Sequence, residues 1–270
     1  MTPFWAAYLT FLVFFFGACI GSFLNVCIYR IPLDLSVVKP RSRCPKCETP
    51  IAWYDNVPML SYVILRAKCR HCGVRISARY FFVELLTALL FLLVWQLHGM
   101  TVQTPAYWII MAGLVVAMFV DFDHMIIPDR ISLGGMAAGL AFSAMAPSLH
   151  GVETTLQSLA QSGIGLAAGS GSLWLVGVIG KLAFKKDAMG LGDVKLLGGL
   201  GAFLGWQAVI FIILISSVLG SVAGLFLIAT GKKEFQSRIP YGPYLALAAV
   251  AWMLGGNLWW DRYIMWVSGQ

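Results

Sequence analysis

Two aspartates at the edges of apolar runs are the leading candidates for chemistry in this sequence. Asp121 ends the third apolar run, and Asp193 follows a Gly-x-Gly at 190–192. A carboxylate beside hydrocarbon is costly, and for that reason it is a functional candidate. Two carboxyl groups that share a proton can hydrolyse an amide without a covalent intermediate, because the ionised one deprotonates a water while the neutral one polarises the carbonyl. We therefore predict that Asp121 and Asp193 form the catalytic pair of an aspartic peptidase.

Three further acidic residues near the apolar runs have roles that the sequence leaves open. Asp129 stands beside an arginine, so an ion pair at the membrane surface explains it, and the same explanation is open for Glu84. On a helix, Asp121 and Asp123 point about 200° apart. We expect only one of these two to face Asp193, and we choose Asp121.

The glycines before Asp193 have two possible explanations. Gly190 and Gly192 carry no Cβ, so a substrate backbone can approach Asp193 closely. A Gly-x-Gly can also belong to a phosphate-binding loop. No strand is expected before the Gly-x-Gly at 190–192, and the rest of either nucleotide-binding fingerprint is missing. We therefore favour the explanation in which the glycines let a substrate backbone approach Asp193.

Four cysteines form the most specific local motif in the sequence. Cys44 and Cys47 make one C-x2-C, and Cys69 and Cys72 make a second after 21 intervening residues. This spacing is typical of a zinc ribbon, in which two tight turns place four thiolates on one tetrahedral metal. Two disulfides, or a redox-active C-x2-C, are the alternatives, and a reducing cytoplasm disfavours them. A site closed by four thiolates would fold the loop and would not catalyse a reaction.

The composition excludes a soluble globular protein. Hydrophobic residues make up 59% of the 270 residues, the mean hydropathy is +0.81, and charged residues make up 11%, against roughly 25% in soluble domains. Apolar runs long enough to span a membrane occur throughout, with one shorter, glycine-rich run near 192–204. The runs cover 6–29, 81–98, 105–120, 131–149, 156–180, 192–204, 206–230 and 242–260.

We therefore predict an all-α polytopic membrane protein of about eight transmembrane helices, with a cytoplasmic zinc-ribbon-like loop between the first and second. In this division, 1–29 is the first transmembrane helix, 30–79 is the cytoplasmic zinc-binding module, and 80–270 is the membrane bundle that carries the protease site. Glycines four residues apart could let helices approach closely, or could reflect only how common glycine is in membrane spans. These pairs are Gly135 and Gly139, Gly165 and Gly169, and Gly201 and Gly205.

The distribution of charge predicts the orientation. The whole net charge of +7 lies in 30–79, and 18 of the 19 Lys and Arg fall in alternate loops. The positive-inside rule then places those loops in the cytoplasm and both termini outside. A basic loop between two spans is typical of membrane topology, so we expect no nucleic-acid partner.

Several segments in the expected order resemble the signatures of the bacterial type IV prepilin peptidases, a family of GxGD-type intramembrane aspartic proteases. The resemblance extends from about residue 17 to 246. The segments are Gly21-Ser22-Phe23-Leu24-Asn25-Val26 with Tyr29-Arg30-Ile31-Pro32, Arg43-Cys44-Pro45-x-Cys47, Asp55-Asn56-Val57-Pro58, Lys68-Cys69-Arg70-x-Cys72, Arg79-Tyr80 with Val83-Glu84-Leu85-Leu86, Gly190-Leu191-Gly192-Asp193, and Ile239-Pro240-Tyr241-Gly242-Pro243-Tyr244.

The resemblance implies a bifunctional enzyme of the bacterial inner membrane whose active site faces the cytoplasm. Such enzymes cleave the basic leader of type IV prepilins or type II secretion pseudopilins after a Gly. They then methylate the new N-terminal residue, commonly Phe, with S-adenosylmethionine as the donor. The family's catalytic aspartates match Asp121 and Asp193, and the four cysteines match its methylating members.

Methyl transfer is implied by the resemblance alone, because the sequence shows no βαβ pattern and no glycine-rich turn after a strand. Polar residues of the loop and its flanks are candidate contributors without assigned roles. They are Asn25, Asp55, Lys68, Arg70, Arg79 and Glu84.

Two other functions remain open on the residues alone. A proton-coupled transporter also keeps acidic residues in its spans and uses broken helices. A secretion-system scaffold would need the structural zinc ribbon but not the aspartates. The particular pilin substrate and the oligomeric state are not predicted.

Overall fold

Regular structure is helical wherever the computed structural model describes the chain, which is in residues 3–185, 189–231 and 239–269. The only β-pairing in these ranges consists of two isolated bridges in the cysteine-rich loop. The α-helices are α1 (Pro3–Arg30), α2 (Leu60–Ile64), α3 (Ala78–His98), α4 (Gln103–His124), α5 (Asp129–Met145), α6 (Thr155–Phe184), α7 (Leu191–Ala229), α8 (Gly242–Ala251) and α9 (Asn257–Ser268). The chain divides into two compact units, Met1–Met100 and Thr101–Gln270.

Five helices of the described ranges are long and apolar enough to cross a membrane, which makes this a multi-pass membrane protein. These segments are Pro3–Leu33, Ala78–His98, Gln103–His124, Thr155–Ala183 and Leu191–Ala229. The predicted all-helical class is confirmed, but the count of eight spans is not. Each predicted apolar run does contain a helix. The runs differ from the five spans because α5 has only 17 residues, α7 continues across two runs, and a distorted turn at Trp252–Gly256 separates α8 from α9.

In the first unit, α1 and α3 pack with their backbones in contact. A Cβ at Gly17 would stand 2.8 Å from the Cα of Ala88, and one at Gly21 would stand 2.7 Å from the Cα of Glu84. Side chains at these two positions would force the helices apart. The loop between α1 and α3 carries α2 and the four cysteines.

Small residues set the packing of the second unit as well. A Cβ at Gly165 or at Gly169 would collide with the backbone of α7, and one at Gly139 would stand 2.8 Å from the Cβ of Ala202. The predicted close approach at these glycines is confirmed. Gly135 differs, because a Cβ there would meet no atom of the described residues within 4 Å.

Helix α7 is a hairpin of two arms, 191–204 and 206–229, that meet at Gly205. Gly205 has φ 82° and ψ 172°, which is not helical. A Cβ at Gly201 would lie 2.9 Å from the side chain of Val209, whereas residues eight apart in a straight helix are about 12 Å apart. The second arm therefore folds back along the first. At the break, the carbonyl of Ala202 accepts hydrogen bonds from the hydroxyls of Ser162 (2.7 Å) and Ser143 (3.4 Å).

Candidate active site

Asp121 lies in the last turn of α4 and is 5% exposed. Its Oδ2 accepts a hydrogen bond of 2.9 Å from the backbone N–H of Gly242, the first residue of α8. A Cβ at Gly242 would itself stand 2.9 Å from that oxygen, so a side chain there would crowd the carboxylate. The start of α8 is thereby joined to the end of α4 through the carboxylate of Asp121.

Asp193 lies in the first turn of α7, directly after the Gly-x-Gly. Its Oδ1 is buried and has no hydrogen-bond partner among the described residues. A Cβ at Gly190 would stand 2.8 Å from its Oδ2, so glycine leaves the space beside this oxygen open. A buried carboxyl oxygen without a partner is costly, and such atoms are concentrated at functional sites.

Ile127, in the turn between α4 and α5, brings the two aspartate-bearing segments together. A Cβ at Gly192 would stand 2.9 Å from the Cβ of Ile127, and one at Gly242 would stand 3.2 Å from its Cδ1. The same isoleucine thus packs against the start of α7 and the start of α8. Gly192 immediately precedes Asp193, and the N–H of Gly242 donates to Asp121, so this packing brings the two carboxyl-bearing segments to one site. Asp121 is buried and Asp193 is half-buried with its Oδ1 enclosed, and two such carboxyl groups from different helices at one site are what a proton-sharing pair requires.

The neighbouring acidic residues are in different surroundings. Asp123 is exposed, as the helical phase between it and Asp121 predicts. Asp129 forms an ion pair with Lys195, at 2.7 Å between Oδ1 and Nζ. The expected pairing of Asp129 with a basic residue is confirmed, and its partner is Lys195 of α7. This ion pair joins the first turn of α5 to the N-terminal part of α7.

The four cysteines converge as the spacing predicts. Their sulfurs all lie within 4.8 Å of one another, with 3.7 Å between Cys44 and Cys72 and 4.0 Å between Cys47 and Cys69. A tetrahedron of thiolates about 2.3 Å from a zinc ion has sulfurs about 3.8 Å apart. The donor set and the spacing both fit zinc, and all four cysteines are free of disulfides.

The two C-x2-C turns have the same backbone construction. In the first, the N–H of Glu48 donates to the carbonyl of Cys44, and in the second, the N–H of Gly73 donates to the carbonyl of Cys69. Both donors have positive φ, 54° and 68°. Hydrogen bonds from Thr49 lower the pKa of the Cys47 thiol to about 6, whereas burial and the neighbouring thiols raise the pKa of the Cys72 thiol to about 11.

Comparison with known proteins gives the family. Residues 15–97 match the family model described as the bacterial peptidase A24 N-terminal domain, and residues 108–225 match the type IV leader peptidase family. A prepilin leader peptidase/N-methyltransferase of Aeromonas hydrophila is 38% identical, over 94% of this chain and 92% of that protein. This chain belongs to the type IV leader peptidase family. A relative of the same description from Neisseria gonorrhoeae is 34% identical, over 93% of this chain and 92% of its own length.

The relative of that description from Myxococcus xanthus is 44% identical over 82% of this chain, and the chain spans 65% of that protein's length. No solved structure matches the chain. The two aspartates fall in the segment that matches the leader peptidase model, and the four cysteines fall in the segment that matches the N-terminal model. The two motifs that the sequence singled out therefore fall in segments that match two different family models.

Glu84 has a structural contact that the sequence did not predict. It is 8% exposed, and its carboxylate accepts a 2.7 Å hydrogen bond from the N–H of Met59, which precedes α2 and has φ 58°. Nearby, the side-chain amide of Asn25 donates to the carbonyl of Tyr80 at 3.1 Å. In both bonds a polar side chain of a membrane-spanning helix contacts backbone. Glu84 of α3 contacts the loop before α2, and Asn25 of α1 contacts the backbone of α3. The only hint in the sequence was the presence of polar residues inside apolar runs.

Asp55 and Arg70 form an ion pair with each other. The guanidinium of Arg70 donates two hydrogen bonds, of 2.7 and 2.6 Å, to the two carboxylate oxygens of Asp55. These bonds hold the pKa of Asp55 below its usual range. The guanidinium also lies 5.8 Å from the ring centre of Tyr54. The pair therefore fixes the segment before α2 against the second cysteine turn.

Proposed function

We propose that this protein is a membrane aspartic endopeptidase that removes the leader of type IV prepilins or type II secretion pseudopilins after a Gly, and that it then methylates the new N-terminal residue. The family and its described relatives support this function. The observation that carries it is the burial of Asp121 beside Asp193, where α4, α7 and α8 meet.

The hydrogen bonds suggest separate roles for the two catalytic aspartates. The amide of Gly242 donates to Asp121, which favours an ionised carboxylate, whereas Oδ1 of Asp193 has no donor among the described residues and suits a protonated carboxyl. Asp121 then takes a proton from water as the water oxygen attacks the scissile carbonyl carbon, while Asp193 gives its proton to the carbonyl oxygen. When the tetrahedral intermediate collapses, the C–N bond breaks, Asp121 returns its proton to the leaving amine, and Asp193 regains a proton from the hydroxyl group.

Methylation of the new N-terminus is supported by the names of the relatives alone. S-adenosylmethionine would supply the methyl group when bound. Among the expected contributors, Asp55 and Arg70 pair with each other and Glu84 holds Met59. We therefore assign no residue to the donor.

The four cysteines are proposed to hold one structural zinc ion. All four positions of a tetrahedral site are filled by thiolates, which leaves no position for water, so the metal would stabilise 30–79 and take no part in hydrolysis. A pair of disulfides is not supported, because the four sulfurs form one cluster, all within 4.8 Å of one another, and none of the four cysteines is in a disulfide.

The finer topology is also a proposal. We propose eight spans in the bacterial inner membrane, with the module 30–79 and both aspartates on the cytoplasmic side and the bundle 80–270 carrying the protease site. The charge distribution supports this orientation, because 18 of 19 Lys and Arg fall in alternate loops.

The two rival functions, a proton-coupled transporter and a secretion-system scaffold, have no support from the family match or from the described relatives. A transporter would use the aspartates without cleaving peptides, and a scaffold would not need them. Cleavage of a prepilin by the purified protein, with and without the two aspartates, separates the peptidase from both rival functions. The peptidase predicts cleavage that requires both carboxyl groups, and either rival predicts no cleavage.

A further inference from the structure

A cavity of about 330 Å³ lies in the second unit, between the second arm of α7 and the segment that leads into α8. We call it the tyrosine pocket. Residues that line it include Met189, Gly220, Ser221, Ile239, Tyr241 and Tyr244.

The walls of the tyrosine pocket continue directly into the two catalytic segments. Met189 immediately precedes Gly190, which lies against Oδ2 of Asp193. Tyr241 immediately precedes Gly242, whose N–H donates to Asp121. Met189 and Tyr241, which line the pocket, are therefore each followed in the chain by a glycine that lies against a catalytic carboxyl group.

The hairpin in α7 explains how the other wall reaches this place. Ser217 also lines the pocket. Asp193 lies 12 residues before Gly205 and Ser217 lies 12 residues after it, so folding at Gly205 returns Ser217 towards the level of Asp193. The hydroxyl of Tyr241 lies 2.7 Å from that of Ser216, and this hydrogen bond holds the second arm against the start of α8.

The shape and chemistry of the tyrosine pocket suit one large apolar side chain. A Cβ at Gly220 would lie 3.5 Å from the ring of Tyr244 and 3.8 Å from that of Tyr241, so the two rings stand over a helix surface kept flat by glycine. Met189 and Ile239 add flexible and branched apolar surface. The volume of the pocket is near the lower limit for small-ligand sites. A pocket of this size can hold one side chain but not a helical segment of a substrate.

We propose that the tyrosine pocket binds an aromatic or other large apolar side chain of the substrate, next to the peptide bond that is hydrolysed. Gly220 and Ser221 then determine how large that side chain can be. This inference rests on the proposed peptidase function and adds the residues that select the substrate.

Ser221→Phe, with Val222→Phe as the matched control, tests the pocket. Both positions are exposed on the same helix, and Val222, which is 61% exposed, does not line the pocket. The substrates are two forms of one prepilin peptide, with Phe or Ala after the scissile bond. We expect the wild type and Val222→Phe to prefer the Phe substrate. In Ser221→Phe, kcat/KM should fall by about tenfold or more for the Phe substrate and change little for the Ala substrate.

Three results would overturn the proposal of the pocket. They are equal losses for both substrates in Ser221→Phe, no loss for either, or a wild type that shows no preference for Phe. If the wild type cleaves neither peptide, or if Asp121→Asn and Asp193→Asn cleave them as fast as the wild type, the proposed aspartic peptidase function fails instead. The two failures are therefore distinguishable in one set of assays.

Discussion

At the scale of single residues, the two proposed catalytic carboxyl groups depend on neighbouring positions that have no side chain. Gly190, Gly192 and Gly242 each lie where a Cβ would press on Asp193, Ile127 or Asp121, at 2.8 or 2.9 Å. Contacts this short displace the neighbouring group. The glycines around the aspartates are therefore part of the geometry of the site.

Gly242→Ala should lower peptidase activity, because the new methyl group would push the Asp121 carboxylate away from the amide that holds it. We expect kcat to fall by about tenfold to a hundredfold while the protein stays folded. The control is Gly134→Ala in α5, where a Cβ meets no described atom within 4 Å. Cleavage rates in detergent would measure both, and equal activity of the two variants would contradict the role of Gly242.

The convergence of the two aspartate-bearing segments and of the four cysteines could be predicted because these residues interrupt a strong background pattern. An acidic residue beside an apolar run is costly and therefore indicates a functional site. Two C-x2-C turns at this spacing are typical of a metal site. The hydrogen bonds from Gly242 to Asp121 and from Met59 to Glu84 could not be predicted. Each joins residues far apart in the chain, and nothing in the local sequence identifies the partner.

At the scale of elements, the cysteine-rich loop is held by two C-x2-C turns and by contacts to α3. The turns supply four thiols within 4.8 Å, and Tyr62 of α2 packs on Phe81 of α3, with ring centres 5.5 Å apart. Little else in this segment is buried, because α2 is only five residues long and contains no buried residue. We infer that a zinc ion held by the four thiols would contribute much of the loop's stability.

Elemental analysis of the purified protein should find about one zinc ion per chain. Cys44→Ser should release the metal and make 30–79 sensitive to limited proteolysis, because the unligated turns lose their common anchor. Cys19→Ser, in α1, is the control and should retain the zinc ion. Stoichiometric zinc in a protein that lacks Cys44, Cys47, Cys69 and Cys72 would place the metal elsewhere.

The helical elements were predicted more accurately than the number of spans. Every apolar run contains a helix, because runs of this length and hydropathy have no other stable form in lipid. The number of crossings depends on details that hydropathy does not show. One example is Gly205, where a single residue with φ 82° turns one helix into a hairpin.

At the scale of the whole molecule, the orientation in the membrane decides whether the site can meet its substrate. Cysteine labelling or reporter fusions should place 30–79 in the cytoplasm and the loop around His150 outside. The reason is that basic residues are retained on the cytoplasmic side. The opposite orientation would put the aspartates on the wrong side of the membrane for a cytoplasmic leader and would contradict the proposed reaction.

The central claim is that Asp121 and Asp193 act together as the hydrolytic pair. The most direct test measures cleavage of one prepilin by purified wild type, Asp121→Asn, Asp193→Asn and Asp123→Asn, with helical content checked by circular dichroism. Each of the first two substitutions should lower kcat by about 10²-fold to 10⁴-fold, because each removes a group that transfers a proton. Asp123→Asn should keep substantial activity, since Asp123 is exposed and turned away from the pair. A fully active Asp121→Asn protein, or an inactive Asp123→Asn protein beside an active Asp121→Asn one, would contradict the claim.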